Sequence, residues 1–351
     1  MPSGADWVAS LDPWPEEFGL GRMRILLDAL GNPQRRYPSI HVVGTNGKST
    51  ATRTVEAHLE ATGLNVGAYL SPHVRGWSER IRSGGQEADF ERAIGRVREA
   101  AVAVDATQFE VLTAAAFAEF AAGGVDVAVV EAGLGGRHDA TNVIAAPVVL
   151  LTNVGLDHTE VLGETREAIA REKLAVVAAD ATVVLPDDEF AHLVPESRVL
   201  LGGAREAAGA FLGAAVNGEV EVELPGRLEH RSGSEIWDGG HNADGLDWAL
   251  PRLPAGSYTV VASILRDKDV DGMLERLASA GGRLIATSSS NARALPAGEL
   301  AARAARWFGE VEAVEDPMAA LERARQDPPV LVTGSLYLLA DLAAREELRV
   351  E

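Results

Sequence analysis

Short apolar runs alternate with longer amphipathic stretches along most of the chain. Such alternation predicts an α/β arrangement with largely parallel sheets, because apolar runs bounded by turn residues suit strands covered on both faces. Ile40–Val43, Val66–Leu70, Val125–Val130, Val148–Thr152 and Thr182–Leu185 are predicted strands, with helices over Ala51–Thr62, Glu110–Ala122 and Thr165–Ala178 between them. A second series follows, with strands at Tyr258–Ser263, Leu284–Thr287 and Val330–Thr333 and helices at Val270–Ala280 and Gly298–Trp307. Between the two series, Val216–Gly240 holds Pro225-Gly226 and Gly239-Gly240 and reads as a seam. It divides the chain into expected domains 1–228 and 229–351. No internal repeat or low-complexity tract interrupts the pattern. No apolar run reaches the ~18–20 residues that cross a bilayer.

Composition narrows the class. The 351 residues suit about two domains, and 46% hydrophobic content excludes a disordered chain. A formal charge of −20 argues against broad nucleic-acid binding, since no basic stripe displaces counterions, yet it leaves room for a small anionic substrate. The absence of cysteine excludes disulfides, thiolate metal sites and thiol nucleophiles, and fits a reducing cytoplasm. Asp12, Glu16 and Glu17 lie in the first twenty residues without a basic start, so no secretory leader is expected. A cytoplasmic monomer with no nucleic-acid or membrane partner is the expectation. Of 32 basic residues only three are lysines, Lys48, Lys173 and Lys268. Where arginine is used so freely, a lysine suggests a task that a guanidinium cannot perform, such as a compact point charge or a nucleophilic amine.

The strongest local signal is Gly44-Thr45-Asn46-Gly47-Lys48-Ser49-Thr50, between a predicted strand and a predicted helix. A glycine-rich turn there aims successive backbone N–H groups at a phosphate, and the helix start adds positive potential. Lys48 would neutralise the β- and γ-phosphates, with Ser49 or Thr50 near phosphate or Mg²⁺. The glycines are closer together than in the usual GxxxxGK[ST] loop. The alternative is a tight turn with a surface lysine.

Val125–Glu131 is an apolar run ending in an acid, followed by Gly133-Leu134-Gly135-Gly136-Arg137. A carboxylate at the end of a buried parallel strand, beside a phosphate loop, is placed to bind Mg²⁺. The glycine run does not fit GxGxxG, which argues against a dinucleotide. The next strand leads into Asp157-His158-Thr159, where His158 is either a hydrogen-bonded structural residue or a ligand. Lys173 lies fifteen residues further on. It reads either as an exposed helical lysine paired with Glu172 or Glu167, or as an amine with a lowered pKa that takes up CO₂ as a carbamate.

Together these segments resemble the folylpolyglutamate synthase/dihydrofolate synthase branch of the Mur ligase family. The resemblance begins at Gly19-Leu20-Gly21-Arg22 and Leu30-Gly31-Asn32-Pro33. It continues through the phosphate loop, Ser71-Pro72-His73, Ser78–Ile81, Phe109–Thr113, Glu131–Asn142, Gly155–Gly163 and Glu172-Lys173. It then takes in Pro225–Arg227, Asp238–Asn242, Arg266–Asp269 and Thr333–Tyr337. It implies an N-terminal ATP-binding domain of P-loop type and a smaller Rossmann-like C-terminal domain. The implied activity is an ADP-forming ligase that joins L-glutamate to a dihydropteroate or reduced folate through an acyl phosphate.

Carried over by position, Thr45, Asn46, Gly47, Lys48, Ser49 and Thr50 would hold ATP, together with Arg227 and Asp238. Ser71, Glu131 and His158 would bind Mg²⁺, and Lys173 would be carbamylated beside a second metal site. Lys48, His158 and Lys173 would be catalytic. Thr107, Gln108, Phe109, Glu110, His138, Asp139 and Ala140 would line the acyl pocket, with Lys268 near the incoming amino acid. The chain departs from the family where Ser49 replaces a glycine, His138 a leucine and Glu206 an adenine-contacting asparagine, and where 189–222 is short. Two rivals follow: a Mur-like ligase with a non-folate acceptor, and an ATP-binding homologue without activity.

Overall fold

The structure, a computed structural model, describes residues 2–15, 17–195, 198–231 and 233–347, so Glu16 lies outside it. The chain divides into two compact units: residues up to 72 with 77–222, and 73–76 with those from 223 onward. This division falls six residues before the expected boundary. Residues 226–228 already belong to the second unit, because Gly239 N donates to Gly226 O at 2.8 Å and Leu228 N to Asp238 Oδ2 at 3.0 Å. Arg75 of the short excursion pairs with Glu229 at 2.9 Å.

The first unit holds eight strands: β1 Ser39–Val43, β2 Val66–Tyr69, β3 Ile81–Ser83, β4 Gln86–Glu87, β5 Val127–Glu131, β6 Val148–Leu151, β7 Thr182–Leu185 and β8 Val199–Leu201. Their order is β4-β3-β2-β5-β1-β6-β7-β8. The pairs β2-β5, β5-β1, β1-β6, β6-β7 and β7-β8 run parallel, and the pairs β2-β3 and β3-β4 are antiparallel. The chain thus leaves central β1 towards β2 on one side and later returns to build β6–β8 on the other. A sheet that reverses in this way opens a crevice at the carboxyl ends of its central strands.

Side chains alternate across this sheet. Ile40, Val42, Val127 and Val129 pack with Val55 and Leu59 of the helix Lys48–Glu60. Val43, Ala128 and Val130 pack on the other face with Leu112, Ala116 and Phe120 of the helix Gln108–Gly123. Glu131 continues the parity of Val127 and Val129, which puts its carboxylate on the face of the helix carrying Ser49.

The second unit holds β9 Glu229–Arg231, β10 Glu235–Trp237, β11 Thr259–Ala262, β12 Arg283–Ala286, β13 Glu310–Ala313 and β14 Val330–Thr333. They are ordered β13-β12-β11-β14-β10-β9, parallel except for β9. Both sheets match the expected α/β class. No described helix is long and apolar enough to cross a membrane.

The expected elements are present with shifted ends. Val125 does not enter β5, because its N–H closes the preceding helix on Phe120 O, and Asp126 N bonds Asn65 O at 2.7 Å. The helix expected over Thr165–Ala178 stops at Leu174. Six strands escape the sequence pattern, namely β3, β4, β8, β9, β10 and β13. They are short, and several carry charged residues, so they lack the apolar run that marks a buried strand.

Candidate active site

The phosphate-loop sequence leaves the carboxyl end of β1 and enters the helix Lys48–Glu60 with Gly47 in the left-handed region at φ +77°. Gly44, at φ +153°, admits no side chain: a Cβ there would sit 1.9 Å from Thr152 Oγ1. The segment after β6 straps the loop down. Asn153 Oδ1 accepts from Thr45 N at 3.2 Å and from Asn46 N at 2.8 Å, while Thr152 Oγ1 donates to Asn46 O at 2.7 Å. Gly155 N donates to Thr45 Oγ1 at 3.0 Å. Thr152, Asn153 and Gly155 were not among the expected site residues; their position directly after the second central strand was the available signal. Lys48 folds back over the loop, its Nζ donating to Thr45 O at 3.1 Å. Thr50 is a half-buried residue of the first helical turn.

Two expected residues converge on the carboxylate of a third, Glu131. Ser49 Oγ donates to Glu131 Oε1 and Ser71 N to Glu131 Oε2, each at 3.1 Å. Glu131 is buried, at the last position of β5. This carboxylate with the Ser49 hydroxyl beside it is a hard-oxygen pair suited to Mg²⁺, which binds through one or two carboxylates, phosphate and water. Among the described residues no three His, Asp or Glu side chains gather into a metal cage. His158 lies after β6, at the same edge of the sheet as Glu131. It caps the short helix Thr159–Leu162 in the left-handed region at φ +52°, with its ring 4.0 Å from Asp157 and from Glu160.

Lys173 is buried, not an exposed helical lysine. Its Nζ donates to Gly44 O at 2.9 Å. Burial, reinforced by the Lys48 ammonium, pulls its pKa down from 10.5 to about 7. A substantial fraction of the amine is therefore neutral near pH 7. The glycine run of residues 133–136 packs against the end of this helix, where a Cβ on Gly136 would lie 2.5 Å from Lys173 O.

Beside this centre opens a cavity of about 310 Å³, lined by Thr107, Phe109, Glu110, His138, Asp139, Ala140 and Glu172. Trp14, Phe18, Leu134 and Val161 complete its apolar wall. These four were not foreseen as lining, because nothing in their local sequence ties them to the pocket. Gln108 was expected to line it but turns away, its Nε2 donating to Val8 O at 3.0 Å. The helix Gln108–Gly123 starts at the capping Thr107, so Gln108 projects to another side. Glu110 is held by that cap, accepting from Thr107 N at 2.9 Å, and pairs with Arg22 at 2.9 Å. Buried Asp139 accepts from Leu134 N at 2.8 Å, and burial raises its pKa.

In the second unit, Asp238 is buried and accepts from Leu228 N at 3.0 Å and Gly240 N at 2.9 Å. Burial raises its pKa, and the nearby Arg227 guanidinium counters the rise. Arg227 Nη1 donates to Gly226 O at 3.1 Å. Lys268 is half-buried on the loop after β11. Glu206, back in the first unit, accepts from Gly203 N at 2.8 Å at the start of the helix Ala204–Leu212.

A family model for the Mur ligase middle domain matches residues 42–208. The dihydrofolate synthase/folylpolyglutamate synthase of Mycobacterium tuberculosis is 34% identical over 84% of this chain and 80% of its own length. Escherichia coli FolC in complex with DHPP and ADP superposes with a TM-score of 0.87 at 27% identity, over 100% of this chain and 99% of that one. A bifunctional folylpolyglutamate synthase/dihydrofolate synthase with Mn, AMPPNP and L-glutamate bound reaches 0.85 at 27% identity, over 99% and 98%. With its phosphate loop, buried lysine and carboxylate on one sheet edge, this chain belongs to the folylpolyglutamate synthase/dihydrofolate synthase branch of the Mur ligase family, whose members are ATP-dependent ligases.

Proposed function

We propose that this chain joins the amine of L-glutamate to the carboxylate of a dihydropteroate or a reduced folate at the expense of ATP. A carboxylate oxygen of the acceptor attacks the γ-phosphorus and ADP leaves. The glutamate amine then attacks the acyl carbon, loses a proton and expels inorganic phosphate. Most of the work is holding mutually repelling anions in line. The loop from Thr45 to Ser49, held in shape by Asn153 on the Thr45 and Asn46 N–H groups, receives the phosphates, and Lys48 offsets their charge. Glu131, Ser71 and His158 would hold Mg²⁺, which would neutralise phosphate oxygens. The wall of Phe109, His138 and Ala140 receives the ring system of the acceptor. By resemblance, Arg227 and Asp238 are assigned to the nucleotide and Lys268 to the incoming amino acid.

The neutral amine of Lys173 adds to CO₂: a nitrogen–carbon bond forms and a proton leaves to water. The resulting carbamate would support a second divalent ion. The observation that carries the reading is Lys173 Nζ, buried 2.9 Å from Gly44 O at the start of the phosphate loop.

The test measures ADP release with dihydropteroate or tetrahydrofolate and L-glutamate, omitting each in turn. Turnover that needs both the folate-type acid and glutamate is expected. Equal turnover without the acid, or with unrelated acyl acceptors alone, overturns it. Tight ATP binding with no release under any acceptor would favour the inactive rival.

A further inference from the structure

The motif Leu30–Pro33, part of the family resemblance, lies away from the phosphate loop. With its neighbours it opens a cavity of about 560 Å³ in the first unit. Ser39, in its wall, begins β1, whereas Gly44 follows the other end of that strand, roughly 17 Å away at 3.3 Å per residue. Arg24, Arg35 and Asp28 line the cavity. Among the described residues neither arginine has a salt-bridge partner, in a chain whose arginines are mostly paired.

Gln34 and Ser39 also line it, at 6% and 3% exposure, and Gln34 Oε1 and Ser39 Oγ are buried without a hydrogen-bond partner. Gln34 Nε2 is spent on Asn32 Oδ1 at 3.2 Å, and Asn32 Nδ2 on Asp28 Oδ1 at 2.7 Å. The cavity wall therefore offers two cations together with oxygen acceptors. A bare anion would leave those acceptors unsatisfied, and a bare cation would face both guanidiniums.

We infer that this cavity is a second ligand site, separate from the ATP centre, that takes a small α-amino dicarboxylate. Its two carboxylates meet Arg24 and Arg35, and its ammonium donates to Asp28 and Gln34 Oε1. One anionic charge on the ligand then balances the lining charge.

The test uses the full chain with labelled isoleucine and valine methyl groups, since Ile144 and Val143 line the cavity. L-Glutamate, L-aspartate, succinate and inorganic phosphate are titrated separately. The Ile144 and Val143 methyl resonances are expected to move saturably with the two amino acids, and at least about tenfold more weakly with succinate and phosphate. The double variant Arg24→Gln/Arg35→Gln is expected to weaken the amino-acid response at least about tenfold. Ala145→Trp, at the exposed rim, is expected to do the same by filling the mouth with all charges kept, which preserves the test should the double variant lose stability. ADP binding stays unchanged in both. Silent methyl resonances at high probe concentration overturn the inference. So do shifts that survive both variants, or equal responses to phosphate and succinate, which would mark a simple arginine patch.

Discussion

The amine of Lys173 donates to the carbonyl of Gly44 at 2.9 Å, tying the end of one helix to the first residue of the phosphate loop. The two residues are 129 positions apart. Their contact puts a largely dehydrated amine, lowered to about pKa 7, beside the second lysine of the site. An arginine could supply the charge there but could not become a carbamate.

Lys173→Ala is expected to cut turnover at least about a hundredfold, in line with loss of a group that stabilises developing charge. ADP affinity should remain within a few-fold of the parent. Formate or acetate should restore part of the rate by replacing the carbamate oxygens. Steady-state kinetics with and without the added acid check this, and full activity without it would rule out the carbamate.

Glu131→Gln keeps the size of the side chain and removes its charge. The Mg²⁺ dependence of ADP binding, followed by calorimetry, is expected to shift to about tenfold higher metal concentration. An unchanged Mg²⁺ titration would remove Glu131 from the metal set.

Gly44→Ala places a methyl group 1.9 Å from Thr152 Oγ1 and a side chain at φ +153°. A loss of about 1–3 kcal/mol in stability and weaker ADP binding are expected. Adding Thr152→Ala should recover only part of this, since the backbone conformation stays unsuited to alanine. Thermal unfolding of the single and double variants measures both contributions.

His41 sits fully buried on β1, its Nε2 2.8 Å from Thr141 Oγ1, whose hydroxyl donates to Asp139. Burial pushes the imidazole down from 6.5 to about 3. Between those two values the unfolded chain holds the extra proton, so this group lowers stability as pH falls from 6.5 towards 3 and has no effect above 6.5. His41→Gln is expected to reduce the loss between pH 7 and 4.5 by on the order of 2 kcal/mol. Urea midpoints at the two pH values test it, and an equal loss in both proteins would contradict it.

His138 is exposed on the wall of the acyl cavity. His138→Leu extends the apolar wall and is expected to lower KM for the acyl acceptor roughly threefold. KM for ATP should not move. Parallel changes in both constants would place the residue outside the pocket.

The sequence by itself determined the α/β class, the strand–loop–helix at Gly44–Lys48, the acid closing β5 and the family of the chain. These are legible because hydrophobic period, glycine placement and charged strand ends are local properties. Only the tertiary structure decided that Lys173 is buried rather than exposed, that Gln108 turns from the pocket, and that Asn153 and Thr152 clamp the loop. It also decided that Trp14 and Phe18 wall the acyl cavity, and that short strands such as β13 exist. Each depends on which distant segments share a strand edge. Parallel strand order brings together residues more than a hundred positions apart, and no periodicity along the chain records that neighbourhood.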